Sequence, residues 1–196
     1  MKRTQFFKNI LGLGLFSIVG CQPDSNKSQA VALAGNVSSL EENSVNKLKE
    51  ELKAAWLRSE TMTLTNVEQM PEESFLFKYT EEAMTFSEQW RHCVVYTCGQ
   101  LAGRADIPNP YEDVKLPVQM PKADVIKELK NMYAFVRQTI ESLPEEKLMA
   151  DCDFAGDTIP IWRLIYALEN HIIHHRGQCV VYLRLSGIKP KGFYGW

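Results

Sequence analysis

The apolar residues of this chain recur at helical spacing in four long stretches, and strand-like alternation persists nowhere for long. Side chains three and four positions apart lie on one face of a helix, so each stretch predicts a helix with one apolar face. Capping boxes and prolines indicate where the helices begin and end. The predicted helices run from about Leu40 to Gln69, from Thr85 to about Ala102, from Lys122 to Leu143 and from Pro160 to about Ser186. We therefore predict an all-α protein, a four-helix bundle whose core is formed by these apolar faces.

The connections between the predicted helices differ in length. Gly103 is expected to end the second helix. Segment 104–120 holds three prolines and cannot form one regular element, so it gives a long connection between the second and third helices. A connection of that length can cross the bundle, and these two helices need not be antiparallel. Segments 72–84 and 145–157 are interpreted as the other connectors, and the aromatic tail 189–196 is expected to fold back on the bundle or to serve a homodimer.

Residues 1–20 have the layout of a signal peptide. A short basic stretch precedes an apolar run at 10–19 that is too short to cross a bilayer as a helix, which takes ~20 residues. Cys21 follows an aliphatic residue and two small or medium-sized residues, a pattern that resembles the bacterial lipobox, whose cysteine becomes the lipidated first residue of the mature protein. The alternative is an ordinary signal peptide with an incidental cysteine. We expect an exported protein, anchored by lipid to a bacterial membrane and facing the periplasm or the cell exterior.

The segment that follows the signal peptide differs in composition from the rest of the chain. Residues 21–39 are rich in Ser, Asn, Ala and Gly, and we predict a flexible tether there, with the bundle domain occupying 40–196. Removal of the signal peptide would also remove three basic residues and leave a mildly acidic chain without a basic stripe. That charge argues against nucleic acid as a partner.

The cysteines beyond Cys21 indicate neither a redox motif nor a zinc knuckle, because no CxxC pair occurs. They are Cys93, Cys98, Cys152 and Cys179. An exported chain can form disulfides. Cys93 and Cys98 would nevertheless lie on different faces of one helix, and we favour four buried thiols over disulfide bonds.

Three of the four histidines fall within five residues of the predicted fourth helix. His171 and His175 lie four residues apart on its apolar face, one turn and ~6 Å from each other. Burial of two unpaired imidazoles would cost ~1–3 kcal/mol for each unsatisfied group, and a divalent metal that accepts both lone pairs would remove that cost. We therefore predict a metal site here, with two core histidines satisfied by polar neighbours as the alternative. His92 on the second helix is the candidate third ligand, although its spacing suits a surface histidine equally well.

Three residues around this pair are expected to support the site rather than to bind the metal. His174 flanks the apolar face, beside the ligands or in solvent. Arg176 and Gln178 are expected to form hydrogen bonds across to neighbouring helices.

Two segments of the sequence resemble one known family. Thr85–His92 and Asn170–Gln178 are similar to the DinB family, the DinB/YfiT-like superfamily of four-helix metal proteins, and the resemblance extends over 40–196. It implies a four-helix bundle of that type, with a metal triad made of one histidine on the second helix and an HxxxH pair on the fourth. In this chain those positions are His92, His171 and His175. The resemblance leaves the reaction open, because some relatives resemble thiol-dependent transferases or isomerases and others hydrolases.

Three neutral imidazoles leave coordination positions open, which is typical of a catalytic rather than a structural zinc site. Zinc or nickel is the expected cofactor, and manganese or iron would also suit the ligands. Such a metal lowers the pKa of a bound water toward ~7. We therefore expect a DinB-like, metal-dependent hydrolase that acts on a small molecule, since an exported protein has poor access to cytosolic thiols. The alternatives are a thiol-dependent transferase and a non-catalytic, lipid-anchored metal-binding or stress-response bundle. Glu88 and Glu169 are nearby carboxylates, but neither is identified as a general base.

Overall fold

The computed structural model describes the backbone of residues 25–192 and the side chains of residues 44–192. The predicted signal peptide and Cys21 lie outside these residues. The chain divides into two units, 1–41 and 42–196, and the architecture described here belongs to the second unit. The elements in chain order are α1 (Ser25–Gln69), a 3₁₀ turn (Glu72–Ser74), α2 (Phe86–Ala105), α3 (Lys122–Ser142), α4 (Glu145–Met149), β1 (Asp151–Phe154), β2 (Asp157–Pro160) and α5 (Ile161–Leu185). Among the described residues, none of the helices is both long enough and apolar enough to cross a membrane.

The first helix ends as predicted at Gln69, but its predicted start near Leu40 is wrong. Helix α1 begins at Ser25, so the greater part of the predicted flexible tether is helical. Alanine has the highest helix propensity, and alanines at positions 30, 32 and 34 favour continuation of the helix through this segment. Ser39 and Glu42 have the spacing of a capping box, which is the basis of the predicted start near Leu40. Both residues lie inside the helix.

Helix α2 confirms one predicted boundary and corrects the other. Thr85 caps its start: the Thr85 hydroxyl accepts the Glu88 backbone N–H at 3.2 Å, and the Glu88 carboxylate accepts the Thr85 N–H at 2.6 Å. Its predicted end at Gly103 is wrong, because the helix continues to Ala105. Asp106 then takes a left-handed conformation with φ of 57° and ends the helix, a role that Asp fills more readily than most residues other than Gly.

The third and fourth predicted helices begin and end within a residue of their predicted bounds. The connector predicted at 145–157 contains regular structure that the sequence pattern did not indicate. It holds the short helix α4 and most of an antiparallel hairpin, in which β1 pairs with β2 from Asp151↔Pro160 to Phe154↔Asp157. Ala155 and Gly156 both have positive φ, which is the requirement of a tight two-residue hairpin turn. Strands of four residues are too short to show a reliable alternation in the sequence.

The core lies between the apolar faces of α1, α2, α3 and α5, as the four-helix prediction requires. Its largest fully buried side chains include Trp56, Trp90, Tyr133 and Tyr182, one from each of these helices. Burial of aromatic side chains of this size supplies much of the hydrophobic free energy of a small domain. The fold is therefore an all-α bundle with a small hairpin placed before its last helix.

The four cysteines in the described part of the chain are free thiols, as predicted. Cys93, Cys98 and Cys179 are fully buried, whereas Cys152 is only half-buried. Burial raises the pKa of Cys98 to about 12, and it raises the pKa of Cys93 and of Cys179 as well. The three thiols inside the bundle are therefore protonated at neutral pH and are poor nucleophiles.

Candidate metal centre

Three imidazoles converge where α2 packs against α5. The Nε2 atom of His171 lies 3.1 Å from that of His92 and 3.1 Å from that of His175. One potential ligand atom from each ring lies within 4.8 Å of the other two. The structure therefore brings together the three histidines predicted as ligands, including His92, whose spacing alone did not decide its role.

Helix geometry accounts for this convergence. His171 and His175 lie one turn apart on α5, so both rings project toward the same neighbouring helix. His92 occupies the facing side of α2, together with Gln89 one turn before it and Tyr96 one turn after it. The Tyr96 ring lies against His171 with 4.3 Å between centroids. His175 is buried, while His92 and His171 are half-buried, so solvent reaches the cluster from the side of these two rings.

The donor set fits a divalent ion. Zinc bound to imidazole nitrogens at ~2.0–2.1 Å in tetrahedral geometry holds those nitrogens about 3.3 Å apart, close to the 3.1 Å separations found here. Without an ion, hydrogen bonds cannot satisfy all of these contacts, because each neutral imidazole carries only one N–H proton and Nε2 of His171 faces two other ring nitrogens. The Nδ1 atom of His171 is buried without a hydrogen-bond partner among the described residues. The free-energy cost of burying this nitrogen is therefore not offset by a hydrogen bond from those residues.

All three rings are held in the neutral form that metal binding requires. Burial lowers the pKa of His171 and of His175 to about 4, and the neighbouring imidazoles act in the same direction. The pKa of His92 is lowered as well, first by burial and then by the adjacent Arg91. At neutral pH the lone pairs are therefore available to a cation.

Two of the three supporting residues predicted from the sequence are connected to the cluster through Gln89. The Oε1 atom of Gln89 lies 2.5 Å from Nδ1 of His175. Its Nε2 atom donates to Oε1 of Gln178 at 3.0 Å, and Nε2 of Gln178 lies 2.6 Å from Nε2 of His174. The sequence analysis did not identify Gln89 as a functional residue. The available signal was its position three residues before His92, which puts the two side chains on one face of α2.

Arg176 points away from the cluster, toward α1. Its guanidinium donates to the backbone oxygen and hydroxyl of Ser59 and to the hydroxyl of Thr63, at 3.1 to 3.2 Å. The Glu169 carboxylate lies 3.9 Å from it. Arg176 thus forms the predicted hydrogen bonds to a neighbouring helix, but it stabilises the α1–α5 contact rather than the imidazoles.

The two carboxylates considered in the sequence are both engaged elsewhere. Glu88 caps α2, and Glu169 is 4 % exposed beside Arg176. Burial raises the pKa of Glu169 more than Arg176 lowers it. Among the described residues, no carboxylate or thiol joins the three histidines as a further potential ligand.

Two cavities in the described part of the molecule lie away from the imidazoles. One of about 320 Å³ lies between α1 and α5 and is lined by residues such as Asn66, Ile173 and Arg184. The other, of about 510 Å³, lies at the end of α2 and is lined by Gly99, Asp106 and their neighbours. Neither cavity is lined by a histidine of the cluster.

Comparison with known proteins bears on the same region. Residues 55–179, which include all three histidines, match the family described as the DinB superfamily. YrdA of Bacillus subtilis (strain 168) is 32% identical over 87 residues, which cover 44% of this chain and about half, 51%, of that relative. Two solved structures share the fold: a DinB-like protein from Bacillus cereus ATCC 10987, with a TM-score of 0.62, and the DinB-like protein YjoA from Bacillus subtilis, with a TM-score of 0.61. Each is 20% identical in sequence and matches over 74% of this chain and 97% of its own.

Proposed function

Since the chain belongs to the DinB superfamily, we propose that it binds one divalent metal ion through His92, His171 and His175 and hydrolyses a small substrate there. The observation that carries this proposal is that Nε2 of His171 lies 3.1 Å from Nε2 of both His92 and His175, with no carboxylate joining the three rings among the described residues. Three imidazoles do not complete the coordination of zinc or nickel, and an incomplete set of protein ligands is the mark of a catalytic site. Manganese and iron are compatible with the same donors.

The ion, when bound, would supply Lewis acidity at the open side of the cluster. The chain's own residues contribute binding and orientation. Gln89 contacts Nδ1 of His175 through its amide oxygen, and Tyr96 packs against the ring of His171. His92 and His171 form the solvent-accessible edge at which a small molecule would approach. The buried thiols are poor nucleophiles because burial raises their pKa, which favours hydrolysis over a mechanism that uses a cysteine of this chain.

Metal content tests the first part of the proposal. The freshly purified full chain should contain about one divalent ion per molecule by elemental analysis, and the His92→Ala/His175→Ala variant should contain none. His174→Ala is the matched control, because His174 lies beside the ligands without contributing to the cluster, and it should retain most of the ion. A wild-type protein without a stoichiometric divalent ion would refute the proposal.

Turnover tests the second part. Carboxylic and phosphate esters and small amides should be hydrolysed by the loaded protein, not by chelator-treated protein, and zinc or nickel should restore the rate. The His92→Ala/His175→Ala variant should be inactive under all conditions. Turnover that requires an added thiol would favour the transferase instead. A loaded protein that is inactive on every substrate, with or without thiol, would favour a non-catalytic metal-binding bundle.

We also propose that the protein is exported and lipid-anchored at Cys21. The support is the order of basic stretch, apolar run and cysteine at its N-terminus. Expression in a bacterial host with a radiolabelled fatty acid should label the protein and place it in the membrane fraction, and Cys21→Ser should abolish the label. A wild-type protein that is unlabelled would contradict the proposal.

A further inference from the structure

The carboxamide of Gln89 is engaged on both sides between α2 and α5. The residue is 3 % exposed. Its oxygen faces Nδ1 of His175 at 2.5 Å, and its nitrogen donates to Oε1 of Gln178 at 3.0 Å. A buried amide with partners on both sides can be oriented only one way if one partner has a fixed polarity. The polarity of this network follows from Gln178.

Gln178 has partners for both ends of its own amide. Its amino group can only donate and lies 2.6 Å from Nε2 of His174, which leaves its oxygen directed at Gln89. An amide oxygen can only accept, so the amino group of Gln89 donates to it at 3.0 Å. The oxygen of Gln89 is therefore turned toward His175.

This orientation determines the tautomer of His175. The Oε1 atom of Gln89 faces Nδ1 of His175 at 2.5 Å and can only accept, so Nδ1 must carry a proton. A neutral imidazole has one N–H, and the Nε2 atom of His175 is consequently left with a lone pair. That lone pair is directed at Nε2 of His171, 3.1 Å away, which is the state that a metal ligand needs.

We propose that Gln89 is a positioning residue that fixes His175 in the Nδ1–H tautomer, and that Gln178 in turn fixes the orientation of Gln89. The consequence for metal affinity rests on the proposed function, but the tautomer is a property of the protein without an ion. Partners that orient metal-binding histidines in this way typically change metal affinity about 10–100-fold when they are removed.

The test has a readout that needs no metal. Two-bond ¹⁵N–¹H correlation spectra of the metal-free full chain should show His175 protonated at Nδ1 in the wild type and as a mixture of tautomers in Gln89→Leu. Gln89→Glu keeps an acceptor oxygen facing Nδ1 and should restore the single tautomer. Gln138→Leu, an exposed glutamine on α3, is the matched control for the loss of a glutamine amide and should give the wild-type spectrum.

Titration with Zn²⁺ alone gives the second readout. Gln89→Leu should bind Zn²⁺ about 10–100-fold more weakly than the wild type, and Gln89→Glu at least as tightly as the wild type. If Gln89→Leu does not fold, Gln178→Leu replaces it, since it removes the acceptor that orients Gln89, and it should give the mixture of tautomers.

The two proposals can fail separately. Binding of Zn²⁺ by the wild type, with an unchanged tautomer and affinity in Gln89→Leu and in Gln178→Leu, would overturn the role of Gln89 alone. A wild type that binds no Zn²⁺ but loses its single tautomer in Gln89→Leu would overturn the metal site and leave the positioning role supported.

Discussion

Arg176→Met should strongly destabilise the bundle without removing the three imidazoles. Arg176 is 7 % exposed and Glu169 is 4 % exposed, so the substitution leaves a buried carboxylate without its cation. Removal of one member of a buried pair costs about 3–5 kcal/mol. The 3.9 Å separation of the two groups is long for an ion pair, and we therefore expect a loss at the lower end of that range, about 3 kcal/mol in the free energy of unfolding.

The accompanying hydrogen bonds do not change this expectation. Ser59 and Thr63 lose Arg176 as a donor, but both hydroxyls keep their hydrogen bonds to the hydroxyl of Tyr133, at 3.2 and 2.9 Å. The uncompensated Glu169 carboxylate is thus the main source of the loss. Replacing Glu169 as well, in Glu169→Leu/Arg176→Met, should recover most of the stability, because a well-packed apolar pair is often as stable as a buried ion pair.

The loss should depend on pH in a defined direction. Burial already raises the pKa of Glu169, and removal of Arg176 raises it further. A carboxyl group whose pKa is raised by folding is protonated in both states at a pH below the pKa of the unfolded chain, and it then costs no stability. As the pH rises through the pKa of the folded state, the group destabilises the fold. Arg176→Met should therefore lose least stability at pH 4 to 5 and most above pH 7.

Urea unfolding of the full chain, followed by far-UV circular dichroism, measures these differences. Arg176→Met should shift the midpoint downward without changing the m-value. Arg184→Met, at an exposed arginine of the same helix, is the control and should unfold like the wild type. A loss below about 1 kcal/mol, the level expected of an ordinary substitution, would refute the reasoning, as would a double variant no more stable than Arg176→Met.

Three further predictions concern the histidines and the ends of α2. The imidazoles of His171 and His175 have pKa values of about 4 against an ordinary ~6.5, so the unfolded chain binds more protons between these values. The stability of the metal-free protein should therefore fall as the pH drops from about 6.5 to 4 and stay level above 7, and a flat profile in urea midpoints would contradict the lowered pKa values. Thr85→Ala removes the cap of α2 and should cost about 1 kcal/mol in urea unfolding, whereas Thr80→Ala, at an exposed turn residue, should cost much less; equal losses would argue against the cap. Gly103→Ala should raise the thermal midpoint, by a gain of up to ~1 kcal/mol, because Gly103 lies within α2 and a Cβ there meets nothing within 4 Å; a lower midpoint would mean that the helix ends at Gly103.

Most of what the sequence could predict came from the spacing of residues within single helices. The apolar faces of α2, α3 and α5 are local patterns, and so is the spacing that places His171 and His175 together. The position of His92 relative to that pair depends on how α2 packs against α5, and no pattern within α2 alone contains it. Resemblance to a family supplied that contact, and the structure brings the three rings together.

The errors lie where local signals compete or are short. The Ser39-x-x-Glu42 pattern looked like a helix start, yet alanines before it continue the helix back to Ser25. The hairpin has only four residues in each strand, too few for alternation to be recognised. Gln89 is a polar residue on the His92 face, but its role depends on its contacts with His175 and Gln178 across the α2–α5 interface, which the sequence does not specify.

His175 and Arg176 are consecutive residues, yet they bond to different helices: His175 to Gln89 on α2, and Arg176 to Ser59 on α1. Neighbouring positions on a helix differ in direction by ~100°, so the two sets of bonds hold α5 from two sides. A turn of α5 about its own axis would break both at once. The direction in which the imidazoles project from α5 is therefore fixed by polar contacts as well as by apolar packing. Conservative changes elsewhere in the core should alter stability without misaligning the rings.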